Sequence, residues 1–294
     1  MDLPLVVGID GSDSSLRAVD WAVDEAARLG LPLRLVHGSL WERYEGGRPS
    51  FGTGRPAEEV QVEHIAASAV ERARLRNPEI KVSSDILPDD AVSVLLHAAH
   101  TSSAVVIGSR GRSGLAGMLL GSVGLAVAAR AVCPVVVVRG GDQQRQGAFG
   151  RVVVGVGDSA EAATAVRFAA REAAARGGAL HAVRAWRRPA HEHMDHPLIA
   201  DDAVSSQEEG ASALLSEVLS DAARDDAGLD ELEVHRRTVE GPAHRVLVDA
   251  SSEADLVVVG ALRHQGHFGL QLGRVAHALL HHAACPVAVV PQRA

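Results

Sequence analysis

The sequence predicts an α/β protein built from two tandem, doubly wound domains, each with a five-stranded parallel sheet flanked by helices. Three observations carry that prediction. Short valine-rich runs alternate with longer stretches of helical period, which implies parallel strands joined by crossover helices. The 294 residues exceed the usual length of a single domain. The pattern also occurs twice. Val153-Val154-Gly155-Val156 repeats Val6-Val7-Gly8-Ile9 at an offset of 147, and Gly260 and Cys285-Pro286-Val287 repeat Gly108 and Cys133-Pro134-Val135 at an offset of 152. The repeat divides the chain into domain 1 (1–140), a linker (141–149) rich in Gly and Gln, and domain 2 (150–294).

The elements of domain 1 follow in order. Leu5 to Ile9 is a buried strand ending at Asp10, and Asp10-Gly11-Ser12-Asp13-Ser14 is a turn rich in helix N-cap residues. Leu16, Val19, Ala22, Val23 and Ala26 then mark one face of a helix. Leu33 to His37 is the second strand. Glu42 to Glu59, with its Gly and Pro clusters, is a long loop. A helix from about Pro56 to Arg76, a strand near Lys81 to Leu87 and a helix from Ala91 to Ala99 come next. Ala104 to Ile107 and Pro134 to Val138 complete five strands. Domain 2 repeats the alternation and has its own long loop, Arg187 to Ala203.

One stretch of domain 1 carries chemistry. The strand at Ala104 to Ile107 runs into Gly108-Ser109-Arg110-Gly111; nine residues separate Gly111 from Gly121-Ser122, where helical period resumes through Val123. Glycine lets a backbone approach a ligand closely, and consecutive N–H groups in such a turn make an anion-binding concavity. A helix N-terminus adds unpaired N–H groups and partial positive charge. Ser122 supplies a hydroxyl, and Arg110 and Arg112 can reach a polyphosphate tail. The competing reading is a glycine turn with no ligand. Asp10, Gly8 and Gly38 stand at neighbouring strand ends, where open α/β sheets bind ligands; Asp10 is equally the kind of residue that caps a turn.

Gly-x-x-Gly, nine residues, Gly-Ser resembles the ATP-binding signature of the universal stress protein family. Val6-Val7-Gly8-Ile9-Asp10-Gly11-Ser12 and Cys133-Pro134-Val135-Val136-Val137-Val138 extend the resemblance through the first half, and the second half is a degenerate copy. The resemblance implies an adenine nucleotide alpha hydrolase-like fold. It implies ATP, with or without Mg, as the ligand. It places adenosine near Asp10 and Gly38, and phosphates at Gly108, Ser109, Arg110, Gly111, Gly121 and Ser122; Gly8, Arg112 and Val123 complete the candidate binding residues. It also implies pairing through the last strands, whether as a homo-oligomer or within one chain, since family members dimerise there.

Domain 2 departs from the signature at three places: Gly157 for Asp10, Arg263 for Gly111 and Arg274 for Ser122. The expectation is one nucleotide per chain rather than two. An anion held by Arg263, Arg274, His264 and His267 is the alternative for domain 2.

Other classes fare less well. A formal charge of −8 argues against a nucleic-acid scaffold. The cysteines, Cys133 and Cys285, lie one in each domain with no Cys-x-x-Cys motif, which suits buried, reduced thiols and a cytoplasmic setting. The first residues lack a basic leader, and no apolar run has the length of a membrane span. His191, His193, Asp195 and His196 lie in a Pro-bounded loop without a frame for a metal. There is no Walker Gly-x-x-x-x-Gly-Lys-Ser/Thr motif, and Lys81 is the only lysine. Fast phosphoryl transfer needs a metal, charge clamps and an oriented nucleophile, and only part of that set is visible. The expectation is therefore an ATP-binding regulatory module of the stress response with slow or no hydrolysis. The alternatives are a nucleotide hydrolase or transferase using the same cleft, and a scaffold that needs no ligand.

Overall fold

The computed structural model describes residues 3–40, 57–110, 120–158, 162–188, 197–224, 227–229, 231–261, 264–266 and 269–291. The loop expected over Glu42 to Glu59 falls mostly outside them, and so do the histidines at 191, 193 and 196. The chain forms two compact units, 1–139 and 140–294.

Unit 1 runs β1 (Leu5–Gly8), α1 (Asp13–Leu29), β2 (Leu33–Gly38), α2 (Ala57–Arg76), β3 (Val82–Leu87), α3 (Ala91–Ala98), β4 (Ala104–Gly108), α4 (Ser122–Arg130) and β5 (Val135–Val138). The strands lie in the order β3-β2-β1-β4-β5, all parallel. The order reverses between β1 and β4, so the crevice beyond their carboxyl ends is the switch point of the sheet. The valine runs predicted this result: Val6, Val7, Val105, Val106 and Val137 are wholly buried, as strands covered on both faces must be.

Helix α1 begins where its residues provide a cap. Ser12 accepts a hydrogen bond from the Ser15 N–H through its Oγ (3.2 Å), and Gly30 ends the helix in the left-handed region at φ +66°. Arg72 and Arg76 of α2 make bidentate ion pairs with Asp20 and Asp24 of α1, at 2.6–2.7 Å. These pairs fix how α2 lies along α1.

Unit 2 runs α5 (Asp142–Arg145), β6 (Arg151–Gly155), α6 (Ala162–Arg176), β7 (Ala179–Trp186), α7 (Pro197–Arg224), β8 (Val234–Glu240), α8 (Ala243–Ala250), β9 (Leu256–Ala261), β10 (His264–Gly266), β11 (Gly269–Gln271), α9 (Arg274–His282) and β12 (Val287–Pro291). Its parallel strands lie in the order β12-β9-β6-β7-β8, the arrangement of unit 1 again.

Three details differ from the sequence reading. The segment 141–149, read as a linker, contains the helical turn α5, where Arg145 pairs with Asp142. The loop expected up to Ala203 gives way to α7 at Pro197; proline lacks the N–H that the first helical turn leaves unpaired anyway. The segment between Gly260 and Gly273 contains an antiparallel hairpin, β10–β11, with His264 opposite Gln271.

Candidate functional site

The carboxyl ends of β1, β2 and β4 and the start of α4 surround one cavity. Of the predicted site residues, Gly8, Asp10, Gly38, Gly108, Arg110, Gly121, Ser122 and Val123 line it. Ser109 stands behind it: its N–H donates to the Val138 carbonyl (3.2 Å) and its carbonyl accepts from the Gly121 N–H (3.0 Å). That second bond sets the entrance of α4 against the end of β4. Gly111 and Arg112 lie outside the described residues.

The wall has an apolar part that the motif search did not find. Val36, Leu95 and Ile107 line the cavity together with Ile9 and Ala91. The signal for Val36 was available: it sits two residues before Gly38 on one strand and so shares its face. Leu95 comes from α3, and no local pattern pointed to it.

Polar groups converge from three segments. Gly121 is the N-cap of α4 at φ −73° and ψ 154°, and it provides no side-chain cap. The N–H groups of the first turn therefore have no capping side chain of their own at the edge of the cavity, and the positive end of the helix dipole points there. Arg110 is tied to the start of α1: its N–H donates to Ser14 Oγ (3.2 Å), and its carbonyl accepts from Ser12 Oγ (3.4 Å). Asp10 Oδ1 accepts from both the N–H (3.0 Å) and the hydroxyl (2.6 Å) of Ser12. Asp10 thus caps its turn and borders the cavity at once, so its two readings are compatible.

Several of these glycines serve packing. A Cβ on Gly108 would lie 2.6 Å from the carbonyl carbon, the carbonyl oxygen and Oγ of Ser14. One on Gly38 would lie 2.9 Å from Asp89 O and Ala91 Cα. Gly108 lets α1 approach the end of β4, and Gly38 lets the loop before α3 close over β2.

The corresponding place in unit 2 is built differently. His37 Nδ1 of β2 hydrogen-bonds the Ile9 carbonyl at 2.7 Å. At the matching register Arg184 of β7 donates from Nη1 to the Val156 carbonyl at 3.1 Å and also pairs with Asp158. Gly157, at the Asp10 position, has no carboxylate, and Ala185 replaces Gly38. Gly273 caps α9 without a side-chain bond, and Arg274 follows it in place of Ser122. Arg263 and His267 lie outside the described residues.

No helix among the described residues is long and apolar enough to cross a membrane. Comparison with known proteins agrees with the fold and with its duplication. The family model described as "Universal stress protein family" matches twice, over residues 3–139 and 148–291. Universal stress protein Rv2005c of Mycobacterium tuberculosis is 34% identical, over 98% of this chain and 97% of that protein. Universal stress protein Rv2623 of the same organism is 31% identical, over 98% and 96%. The crystal structure of a universal stress protein from Archaeoglobus fulgidus superposes with a TM-score of 0.68 at 19% identity, covering 99% of this chain and 98% of that one. With a duplicated parallel sheet, a glycine-edged cavity at its switch point and a family match on each half, the chain belongs to the universal stress protein family.

Proposed function

We propose that domain 1 binds an adenine nucleotide of the ATP class, and that the chain acts as a nucleotide-dependent regulatory module of the stress response in the cytoplasm. One observation carries this reading: the cavity at the carboxyl ends of β1 and β4 is edged by the start of α4, a helix whose N-cap supplies no side-chain bond. The residues fit such a ligand in two parts. Val36, Leu95 and Ile107 offer an apolar wall suited to a base, with the Asp10 carboxylate on the same lining where sugar hydroxyls would lie. The first turn of α4 and Arg110 offer N–H groups and positive charge suited to phosphates.

The same lining argues for holding the nucleotide rather than cleaving it quickly. Asp10 is the only carboxylate among the described lining residues, and its Oδ1 is engaged by Ser12. Magnesium bound here would depend on the phosphates for most of its ligands. Occupancy would place a charged ligand at the start of α4 and so alter the surface presented to a partner.

Mass spectrometry of small molecules released from the purified chain, followed by calorimetry with ATP, ADP and AMP with and without magnesium, tests the reading. Gly121→Val should weaken nucleotide binding by roughly tenfold or more, about 1.4 kcal/mol, in a protein that stays folded. Absence of nucleotide binding by the wild-type chain, or undiminished affinity in the variant, overturns it.

A further inference from the structure

Domain 2 carries another cleft, on the face of its sheet, running from Arg151 at the amino-terminal end of β6 to Val239 and Glu240 at the carboxyl end of β8. It lies between the wall formed by β6, β7 and β8 and helix α8, with a volume of about 390 Å³. The duplicated fold supplies an internal control. In domain 1 Arg34 of β2 and Asp85 of β3 neutralise one another across the sheet, at 2.5 Å. In domain 2 His181 stands at the position of Arg34, and Arg237 at that of Asp85. Arg151 replaces Pro4, while His235 and Arg236 replace the two serines before Asp85. The acid that closed the pair has become a cation.

The charges around the cleft can be followed one by one. Glu253 answers Arg151 at 3.0 Å, and Glu233 answers His235 at 3.0 Å. Glu240 pairs with Arg188 at 3.4 Å. Asp249 of α8 lines the opposite wall. Arg236 and Arg237 have no ion-pair partner among the described residues, and Arg237 borders the cleft beside His181. The rings of His181 and His235 pack against one another with centroids 4.5 Å apart and planes tilted by 32°. His181 registers the resulting field: burial first, then Arg151, His235 and Arg237, push its pKa down to about 4, with Glu233 acting the other way.

We propose that the end of this cleft that joins the hollow lined by Arg151, His181, His235 and Arg237 is a binding site for a small phosphate-class anion, held by Arg237 and the paired rings of His181 and His235. The anion supplies the charge that Asp85 supplies in domain 1. A guanidinium gives a phosphate two parallel N–H donors. An imidazole beside an incoming anion gains a reason to protonate and a donor in doing so. Glu240, Asp249 and Glu253 also line the cleft, so the anion is confined to the end beside Arg237 and restricted to one compact charged group.

The test uses the full chain and does not depend on the nucleotide reading. The His181 and His235 imidazole resonances are followed against pH in chloride, in inorganic phosphate and in glycerol phosphate, at matched ionic strength. The expected result is a rise of about one unit or more in the His181 midpoint in at least one phosphate solution; the more effective ion identifies free phosphate or a phosphate ester as the source. Arg237→Asp, which restores the residue type of domain 1, should raise the His181 midpoint in chloride and abolish any further response. Arg237→Ser should remove the response without that rise. Identical titrations of the wild-type chain in all three solutions overturn the proposal. So does a full phosphate response in folded Arg237→Ser.

Discussion

Gly108 shows how one residue type serves two purposes at a site. Its missing Cβ leaves room for the backbone of Ser14, and a methyl group there would lie 2.6 Å from that backbone. Ser14 Oγ in turn accepts the Arg110 N–H (3.2 Å). Gly108→Ala should therefore destabilise domain 1 by about 2 kcal/mol, the usual cost of overpacking, and weaken nucleotide binding because the Arg110 segment moves with Ser14. Thermal denaturation together with calorimetry checks this; an unchanged midpoint would show that α1 gives way freely. Gly121 is the contrasting case. Its φ of −73° is open to any residue, so its substitution should act mainly on ligand. Asp10 is intermediate: Asp10→Asn keeps an oxygen for the Ser12 turn but removes the charge. Its effect on stability should be smaller than its effect on affinity, as parallel melting and binding measurements would show.

Helices α1 and α6 show what the repeat preserves within an element. Glu25 and Glu172 occupy the same position in the two copies, and both are buried. In α6 the partner is Arg176, whose Nη1 lies 2.5 Å from Glu172 Oε2, with both side chains only 6% exposed. Removing one member of a buried pair leaves the other's charge away from water and short of its main counter-charge. Arg176→Met should cost about 3 kcal/mol or more, and the double variant with Glu172→Leu should recover much of it; denaturant melts of the three proteins decide. The β6–β8 wall carries a pH prediction. His181 is held neutral in the folded chain, so the unfolded chain binds the extra proton as pH falls from about 6.5 towards 4. The stability tied to this group is present above that window and lost through it. His181→Phe should flatten that part of the stability–pH curve, and equal slopes in both proteins would remove the assignment. These pairings also mark what the sequence leaves illegible. The strands could be read because Val6, Val105 and their neighbours are hydrophobic at successive positions. The start of α1 could be read because Ser12 is a capping residue. The Arg34–Asp85 bond joins residues 51 apart, and the ring contact of His181 with His235 exists only once β7 and β8 are in register. The structural reason for Gly108 lies in Ser14, which no glycine motif contains.

At the scale of the whole molecule, two copies of one fold carry different ends to their strands, and that difference predicts unequal occupancy. Domain 1 brings Asp10, the apolar wall of Val36 and Leu95, and the start of α4 to one cavity. Domain 2 retains Gly155 and Gly273 but has Gly157 for the carboxylate, Ala185 for Gly38 and Arg274 for Ser122. Arg184 meanwhile draws Asp158 into an ion pair beside the strand end. The expected stoichiometry is one nucleotide per chain. Native mass spectrometry of the full chain with saturating ATP reads it directly. Gly121→Val should abolish the bound species at concentrations where Gly273→Val leaves it intact; the reverse pattern would transfer the site to domain 2, and two equally tight sites would end the asymmetry argument. A gain of function is the stricter test. A Cβ at Gly157 would meet nothing within 4 Å among the described residues, so Gly157→Asp introduces no clash at that atom. Combined with Arg263→Gly and Arg274→Ser, it restores the three residues that distinguish the signatures. A second bound nucleotide in that triple variant locates the limitation in those positions. If the count stays at one in a folded protein, the limitation lies deeper in the cleft, with Ala185 and the loop before α8 the next residues to exchange.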